Sequence, residues 1–246
     1  MVSIITPVFN GESHIRNTIK SVRNQSYSNW EMIIVDDASN DGTVKIIREY
    51  AALDKRIRFS LLTENSGSAI ARNVGLRMAQ SNFIAFLDSD DLWLPDKLDI
   101  QLGFMQKNNH AITFTSYELI NNFGERLNKV VRAVPQLSKE GYLKTTLIGC
   151  STAIVDRNRT GDFKFLNIRT RQDTHLWVTL LGRGFNAFGL EEVLVKYRVR
   201  SDSISSNKFK AARQVWNLYH NILGISFVRS AYYFSFYIFN AIKKRI

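Results

Sequence analysis

Short apolar runs alternate with helical spacings through the first hundred residues of the chain. Ser3, Ile4, Ile5, Thr6, Pro7 and Val8 read as a strand, and Ile15, Ile19 and Val22 then fall at i, i+4 and i+7, the stripe of a half-buried helix. Residues 31–36 form a second buried strand, and the turn-rich run from Asp36 to Thr43 opens a helix carrying Ile46, Ile47 and Tyr50. A third strand over 58–62, a helix from near Ser68 with Ile70, Val74 and Met78, and a fourth strand over 83–87 continue the alternation. This order predicts an α/β architecture, a mostly parallel sheet with helices on both faces. Ligands of such sheets bind beyond the carboxyl ends of the strands. Asn10, Asp36, Asp37, Asp88, Asp90 and Asp91 stand at or just past those ends, so distant segments are expected to converge on one crevice.

Beyond residue 94 the pattern loosens. A helix from Leu94 to Asn109 places Leu98, Leu102 and Met105 on one side. A strand over 111–120, a turn at 121–124, a basic strand over 129–132, a helix over 140–147 and a strand over 151–155 read as mixed α+β on the same sheet. Residues 230–242 carry no charge, are rich in aromatics, and precede Lys243, Lys244 and Arg245. The expected organisation is one domain in two halves, over 1–105 and 106–205, with a helical extension over 206–246.

Charge changes the picture more than composition does. The chain has 246 residues and 33 Lys+Arg against 22 Asp+Glu, a formal charge of +11. Such an excess favours polyanionic partners: nucleotide phosphates, nucleic acid or an anionic membrane. The single cysteine, Cys150, excludes an intrachain disulfide and reads as a packed thiol. The start Met1-Val2-Ser3-Ile4 lacks the features of a secretory signal, so a cytoplasmic location is expected.

Against that basic background, Asp88, Asp90 and Asp91 follow an apolar strand directly. Three carboxylates in four residues repel one another unless solvated or bridged by a cation, and Mg²⁺ or Mn²⁺ takes one or two carboxylates together with substrate phosphate oxygens. The alternative is a solvated turn that caps the next helix. Asp36 and Asp37 form a second acidic turn, suited to a ribose hydroxyl or a base N–H, while Asp41 or Asn40 offers a helix cap. No Gly-x-Gly-x-x-Gly and no Gly-x-x-x-x-Gly-Lys-Ser/Thr sequence is present, which disfavours dinucleotide and P-loop sites. His14, His110, His175 and His220 show no metal-ligand spacing.

Four ordered segments, 2–12, 34–43, 65–75 and 86–91, together resemble glycosyltransferase family 2, with a weaker match at 171–177. The resemblance implies the GT-A fold, a Rossmann-like sheet, and metal-dependent transfer of a sugar from a nucleoside-diphosphate donor, with UDP favoured. It implies that Thr6, Pro7 and Val8 line the base and ribose site, that Asp37 meets the pyrimidine, and that Arg72 holds the base or phosphate side. Asp88 would touch ribose or the metal shell, Asp90 would ligate Mn²⁺ or Mg²⁺, and Asp173 would be the general base. One base opposite the diphosphate gives a single displacement with inversion. Two departures from the family stand out. Gln172 replaces a frequent Glu, and Arg200 stands where many relatives carry a histidine, a change from metal ligation to a phosphate clamp.

The uncharged run at 230–242 is shorter than the about 20 residues that span a bilayer. Tyr and Phe with flanking Lys/Arg suit the headgroup boundary of a cytoplasmic membrane face; the alternative is packing on the enzyme body or on a second copy. A saccharide or lipid-linked saccharide acceptor of bacterial surface polysaccharide synthesis accounts for the tail and the charge together. Three rivals remain. A non-catalytic nucleotide-sugar-binding homologue would lack Asp173 chemistry. A nucleic-acid-binding protein gives no reason for the acidic cluster. A pyrophosphorylase needs a Gly-rich basic loop where Pro7-Val8-Phe9-Asn10-Gly11-Glu12 stands.

Overall fold

The structure, a computed structural model, describes residues 1–199 and 208–243. The first half runs β1 (Val2–Val8), α1 (Ile15–Arg23), β2 (Trp30–Asp36), α2 (Thr43–Leu53), β3 (Ile57–Leu61), α3 (Ser68–Met78) and β4 (Phe83–Phe86), as the periodicity predicts. It continues with β5 (Leu92–Trp93), α4 (Lys97–Lys107), β6 (Ile112–Ile120), β7 (Arg126–Val131), β8 (Gln136–Leu137) and α5 (Lys139–Thr145). Then come β9 (Ile154–Asp156), α6 (Arg157–Thr160), α7 (Gln172–Gly182), β10 (Ala187–Arg198), α8 (Lys208–Asn217), a π turn over Leu218–Ile222 and α9 (Phe227–Lys243).

Among the described residues the strands form one sheet in the order β3-β2-β1-β4-β9-β6-β10-β5, with β7 on β6 and β8 on β10. The run β3-β2-β1-β4 is parallel, each strand returning through a helix. Beyond β4 the sheet is mixed: β9 is antiparallel to both of its neighbours, while β6 and β10 are parallel. The reversal at β9 matters for the site. An antiparallel partner begins where β4 ends, so the 3₁₀ turn at Cys150–Thr152 lies beside the acidic loop that follows β4.

The core lies on both faces of the sheet, as alternation along β1 requires: Ile5 joins one cluster, and Val2, Ile4 and Val8 join the other. α1, α2 and α4 cover the second face with Ile15, Ile19, Ile47, Leu98 and Leu102; α3, α5, α7 and α8 cover the first with Leu76, Tyr142, Trp177 and Val215. In α3 the spacing misleads. Ile70, Val74 and Met78 are half-buried, and the fully buried side is Ala69, Ala71, Arg72, Gly75 and Leu76. A Cβ on Gly75 would stand 2.6 Å from Ile5 Cγ2, so the missing side chain lets α3 lie close on β1 and brings its amino terminus to the strand ends.

Two of the boundaries that differ from expectation follow from strand pairing and the 3₁₀ turn. Leu92-Trp93 is drawn into an antiparallel pair with β10, so the helix begins at Lys97 instead of Leu94; Ser151-Thr152 belongs to the 3₁₀ turn, and β9 starts at Ile154. α9 packs on the enzyme body and leaves part of its surface exposed. Tyr233 is buried in the core and Asn240 donates to Lys144 O of α5, whereas Phe227, Val228, Tyr232 and Phe239 are exposed. Among the described residues no helix is long and apolar enough to cross a membrane.

Candidate active site

A cleft of about 460 Å³ opens at the carboxyl ends of β1, β2 and β4. Pro7 and Val8 from β1, Asp37 after β2, Arg72 from α3, Asp88 and Asp90 after β4, and Asp173 from α7 all line it. Segments 166 residues apart in sequence thus meet on one wall, the numbering difference between Pro7 and Asp173. Thr6 does not join them. Its side chain is fully buried within β1, behind the residues that line the cleft. Arg200 lies outside the described residues.

Asp37 is 3% exposed and accepts from Ser66 N and Gly67 N, both at 2.8 Å. It fixes the loop that enters α3, where Gly67 takes the left-handed φ of +93°. Arg169 secures the same loop from the other side, donating to Asn65 Oδ1 at 2.8 Å. Asn73 completes the attachment through reciprocal bonds with the Phe165 backbone, at 2.8 and 2.9 Å. The segment before α7 is therefore tied to α3 at several points, which holds Asp173 over the strand ends. Asp36, by contrast, is buried and accepts from Ser39 N, and Asp41 accepts from Thr43 N at the start of α2, so turn and cap roles fall to different residues.

The three carboxylates after β4 divide in their roles. Asp91 turns inward, 1% exposed, and accepts from Ser151 Oγ at 2.5 Å and Arg198 N at 2.8 Å. Burial, and then the neighbouring Asp90 and Asp88, push its carboxyl well above the usual range. Asp88 and Asp90 face the cleft. Arg72 donates to Asp88 Oδ1 at 2.5 Å from a buried position beside the Phe165 ring. Burial works against the Arg72 charge, and Asp88 and Asp173 more than offset it, so the guanidinium stays cationic. Arg198 braces the acidic loop from behind, donating from Nε to Asp90 O and from Nη1 to Asn121 O, both at 2.7 Å.

Asp173 sits in the first turn of α7, and its Oδ1 accepts from Thr174 N at 2.8 Å. A first-turn bond and a cleft-facing position coincide in this residue. Gln172 donates from Nε2 to Ser68 Oγ at 2.6 Å and so joins the starts of α7 and α3. A recess of about 140 Å³ adjoins the cleft, sharing Asp88, Arg171, Asp173 and Tyr197 and adding Tyr117, Tyr142, Thr146 and Cys150. Cys150 is a buried thiol held well above its usual range by burial.

Sequence reasoning passed over Ser151, Arg169, Arg171 and Tyr197. Arg169 and Arg171 carried a signal, two guanidiniums just before the candidate base; Ser151 carried none, because its role depends on β9 running antiparallel to β4. Among the described residues no group of three or more His, Cys, Asp or Glu side chains is placed to hold a metal.

A helix-covered sheet with paired carboxylates and a guanidinium at its strand ends defines a nucleotide-sugar class of site. The sequence pattern of Glycosyl transferase family 2 matches residues 3–172, and the chain belongs to that family. It is 47% identical over its whole length, and over 98% of the relative, to a Bacillus subtilis (strain 168) glycosyltransferase, TuaG, provisionally named for teichuronic acid biosynthesis. It is 38% identical, over 99% of this chain and 94% of the relative, to WfgD of Escherichia coli, a UDP-Glc:α-D-GlcNAc-diphosphoundecaprenol β-1,3-glucosyltransferase. A mannosyltransferase of Pyrobaculum calidifontis, solved with GDP-Man and Mn²⁺, shares the fold at TM-score 0.68 and 20% identity; the match covers 92% of this chain and 64% of that one. The chain is a glycosyltransferase of the GT-A fold, and its relatives act in bacterial polysaccharide and lipid-linked sugar synthesis.

Proposed function

We propose that the chain transfers a sugar, with inversion, from a UDP-linked donor to a saccharide carried on a lipid diphosphate. The observation that carries this reading is the meeting of Asp37, Arg72, Asp88, Asp90 and Asp173 on one cleft. Residues 1–105 supply the nucleotide side and residues 106–205 the acceptor side. Pro7 and Val8 border the base and ribose, with the half-exposed Phe9 at the mouth. Asp37 keeps a lone pair on each oxygen beyond its two backbone bonds, enough to accept a uracil N–H. Arg72 balances the diphosphate side through Asp88.

Asp88 and Asp90 fit a hard divalent ion. Two carboxylates on a cleft wall leave the remaining positions to diphosphate oxygens and water, the usual arrangement for Mg²⁺ or Mn²⁺. When bound, the ion neutralises charge on the departing nucleoside diphosphate. Asp173 takes the proton of the acceptor hydroxyl as the new glycosidic bond forms and the donor's sugar–oxygen bond breaks. A second carboxylate placed as nucleophile is not part of this scheme.

Thermal shift with UDP, with and without Mn²⁺, tests the metal assignment. The wild type is expected to gain a larger shift with both present, and Asp90→Ala to lose the metal-dependent part. Equal metal-dependent shifts in the two proteins would remove Asp90 from the site.

The exposed face of α9 supports peripheral attachment at the cytoplasmic face of the membrane, where a lipid-linked acceptor resides. Phe227 and Phe239 are 64% and 63% exposed, and Arg229 follows Phe227 by two residues on a chain of charge +11. The variant Phe227→Ser/Phe239→Ser is expected to bind anionic vesicles at least roughly tenfold more weakly in sedimentation, from lost apolar burial. Equal binding by variant and wild type would refute the attachment.

A further inference from the structure

We propose that Arg171 binds the phosphate next to the acceptor sugar and that Tyr237 of α9 positions its guanidinium. This deepens the glycosyltransferase reading above and rests on it.

Arg171 caps α7 two residues before Asp173, in a left-handed backbone conformation with φ of 61°. Non-glycine residues hold that conformation when their surroundings impose it, and such strain gathers at functional sites. Here it turns the side chain toward the boundary between the cleft and the recess, and Arg171 lines both. Asp90 and Arg72 line the cleft only, whereas Tyr142 and Thr146 line the recess only. Arg171 therefore stands beside Asp173 where the cleft and the recess meet, with its guanidinium against Tyr237 of α9.

Its bonding differs from that of the other cleft arginines. Arg72 is paired with Asp88 and Arg169 with Asn65. Among the described residues the hydrogen bond and ring contact of the Arg171 guanidinium go to one side chain: a long 3.4 Å bond from Nη2 to Tyr237 Oη, and a cation–π approach of 5.8 Å to the same ring. No carboxylate among the described residues lies in ion-pair range of it. A half-buried planar fork of donors without an anion, beside the proposed base, matches a phosphate better than any neutral group.

The order of features along the protein matches the order of groups along one kind of molecule. Asp173 faces the acceptor hydroxyl, Arg171 comes next, and Tyr237 leads onto α9, whose outer side exposes Tyr232 and Phe239. Lys144 adds a second cation beside this helix, 5.2 Å from the Tyr232 and Phe236 rings. A lipid-linked saccharide presents hydroxyl, phosphate and hydrocarbon in the same sequence.

Two glycolipid probes separate the possibilities: N-acetylglucosamine joined to a decyl chain through a diphosphate, and the decyl glycoside without phosphate. Affinity for each is measured by calorimetry on the full chain with UDP and Mn²⁺ present. The wild type is expected to prefer the diphosphate probe. Arg171→Gly, which suits the left-handed turn, should lower that preference on the order of 10- to 100-fold, the range of a charge-assisted bond pair. Arg171→Lys should keep part of it. Tyr237→Phe should lower it several-fold in the wild-type background and have no further effect beside Arg171→Gly, the signature of action through the arginine. A purely structural role would weaken both probes alike and leave the preference unmoved, and that result overturns the proposal, as does a wild type that binds the two probes equally. Absence of any UDP-dependent thermal shift in the wild type would instead overturn the underlying glycosyltransferase site.

Discussion

Replacing Asp173 with asparagine is expected to lower kcat by about 10²- to 10⁴-fold, the usual range for a lost general base. The substitution preserves shape and the bond from Thr174 N to the Oδ1 atom, so α7 keeps its first-turn contact and the fold is not at issue. Loss of turnover with an undiminished UDP thermal shift would separate proton transfer from donor binding. The lowered rate should persist at all pH values, because an amide has no proton-accepting form there. Turnover of Asp173→Asn within tenfold of wild type would remove Asp173 from the base role and leave it as a helix-start residue.

The second large effect is expected in stability. Arg72→Ala deletes a side chain that is 5% exposed, leaves a cavity beside Phe165 and strips Asp88 of its cation. Cavity formation and the broken charge-assisted bond together are expected to cost about 2–4 kcal/mol in urea denaturation. The Asp88 side chain is 28% exposed and recovers some hydration, so the cost stays below that of a fully buried pair. Lysine is a poor substitute, since a point charge on a flexible stem does not reproduce the planar contact with Asp88. A midpoint within 0.5 kcal/mol of wild type, roughly the scatter of a surface substitution, would show that Arg72 contributes little to the fold. Weaker UDP binding in the same variant would place the guanidinium's second effect in the cleft.

Much of the first half was legible because its signals are local. Apolar runs closed by Asp36 and Asp37, or by Asp88 to Asp91, mark strand ends, and strand ends are where such sheets bind ligands. The second half was less legible because its strands are set by pairing. The helix expected from Leu94 starts only at Lys97, because Leu92-Trp93 finds an antiparallel partner in β10, and the α3 stripe Ile70, Val74, Met78 stays half-buried because Gly75 lets the neighbouring side approach β1.

The sequence alone determined which residue types stand at the strand ends, and hence the α/β class, the resemblance to family 2, and the candidate residues Asp37, Arg72, Asp88, Asp90 and Asp173. Tertiary structure decided what each of them faces. Three adjacent carboxylates are equivalent in sequence, yet Asp91 is taken inward by Ser151 and Arg198 while Asp88 and Asp90 stay at the cleft. Thr6 is withdrawn into the sheet, and Arg171 is brought between the base and α9. Side-chain direction depends on partners from 60 to 107 residues away, and a linear pattern carries no information about which of them will arrive.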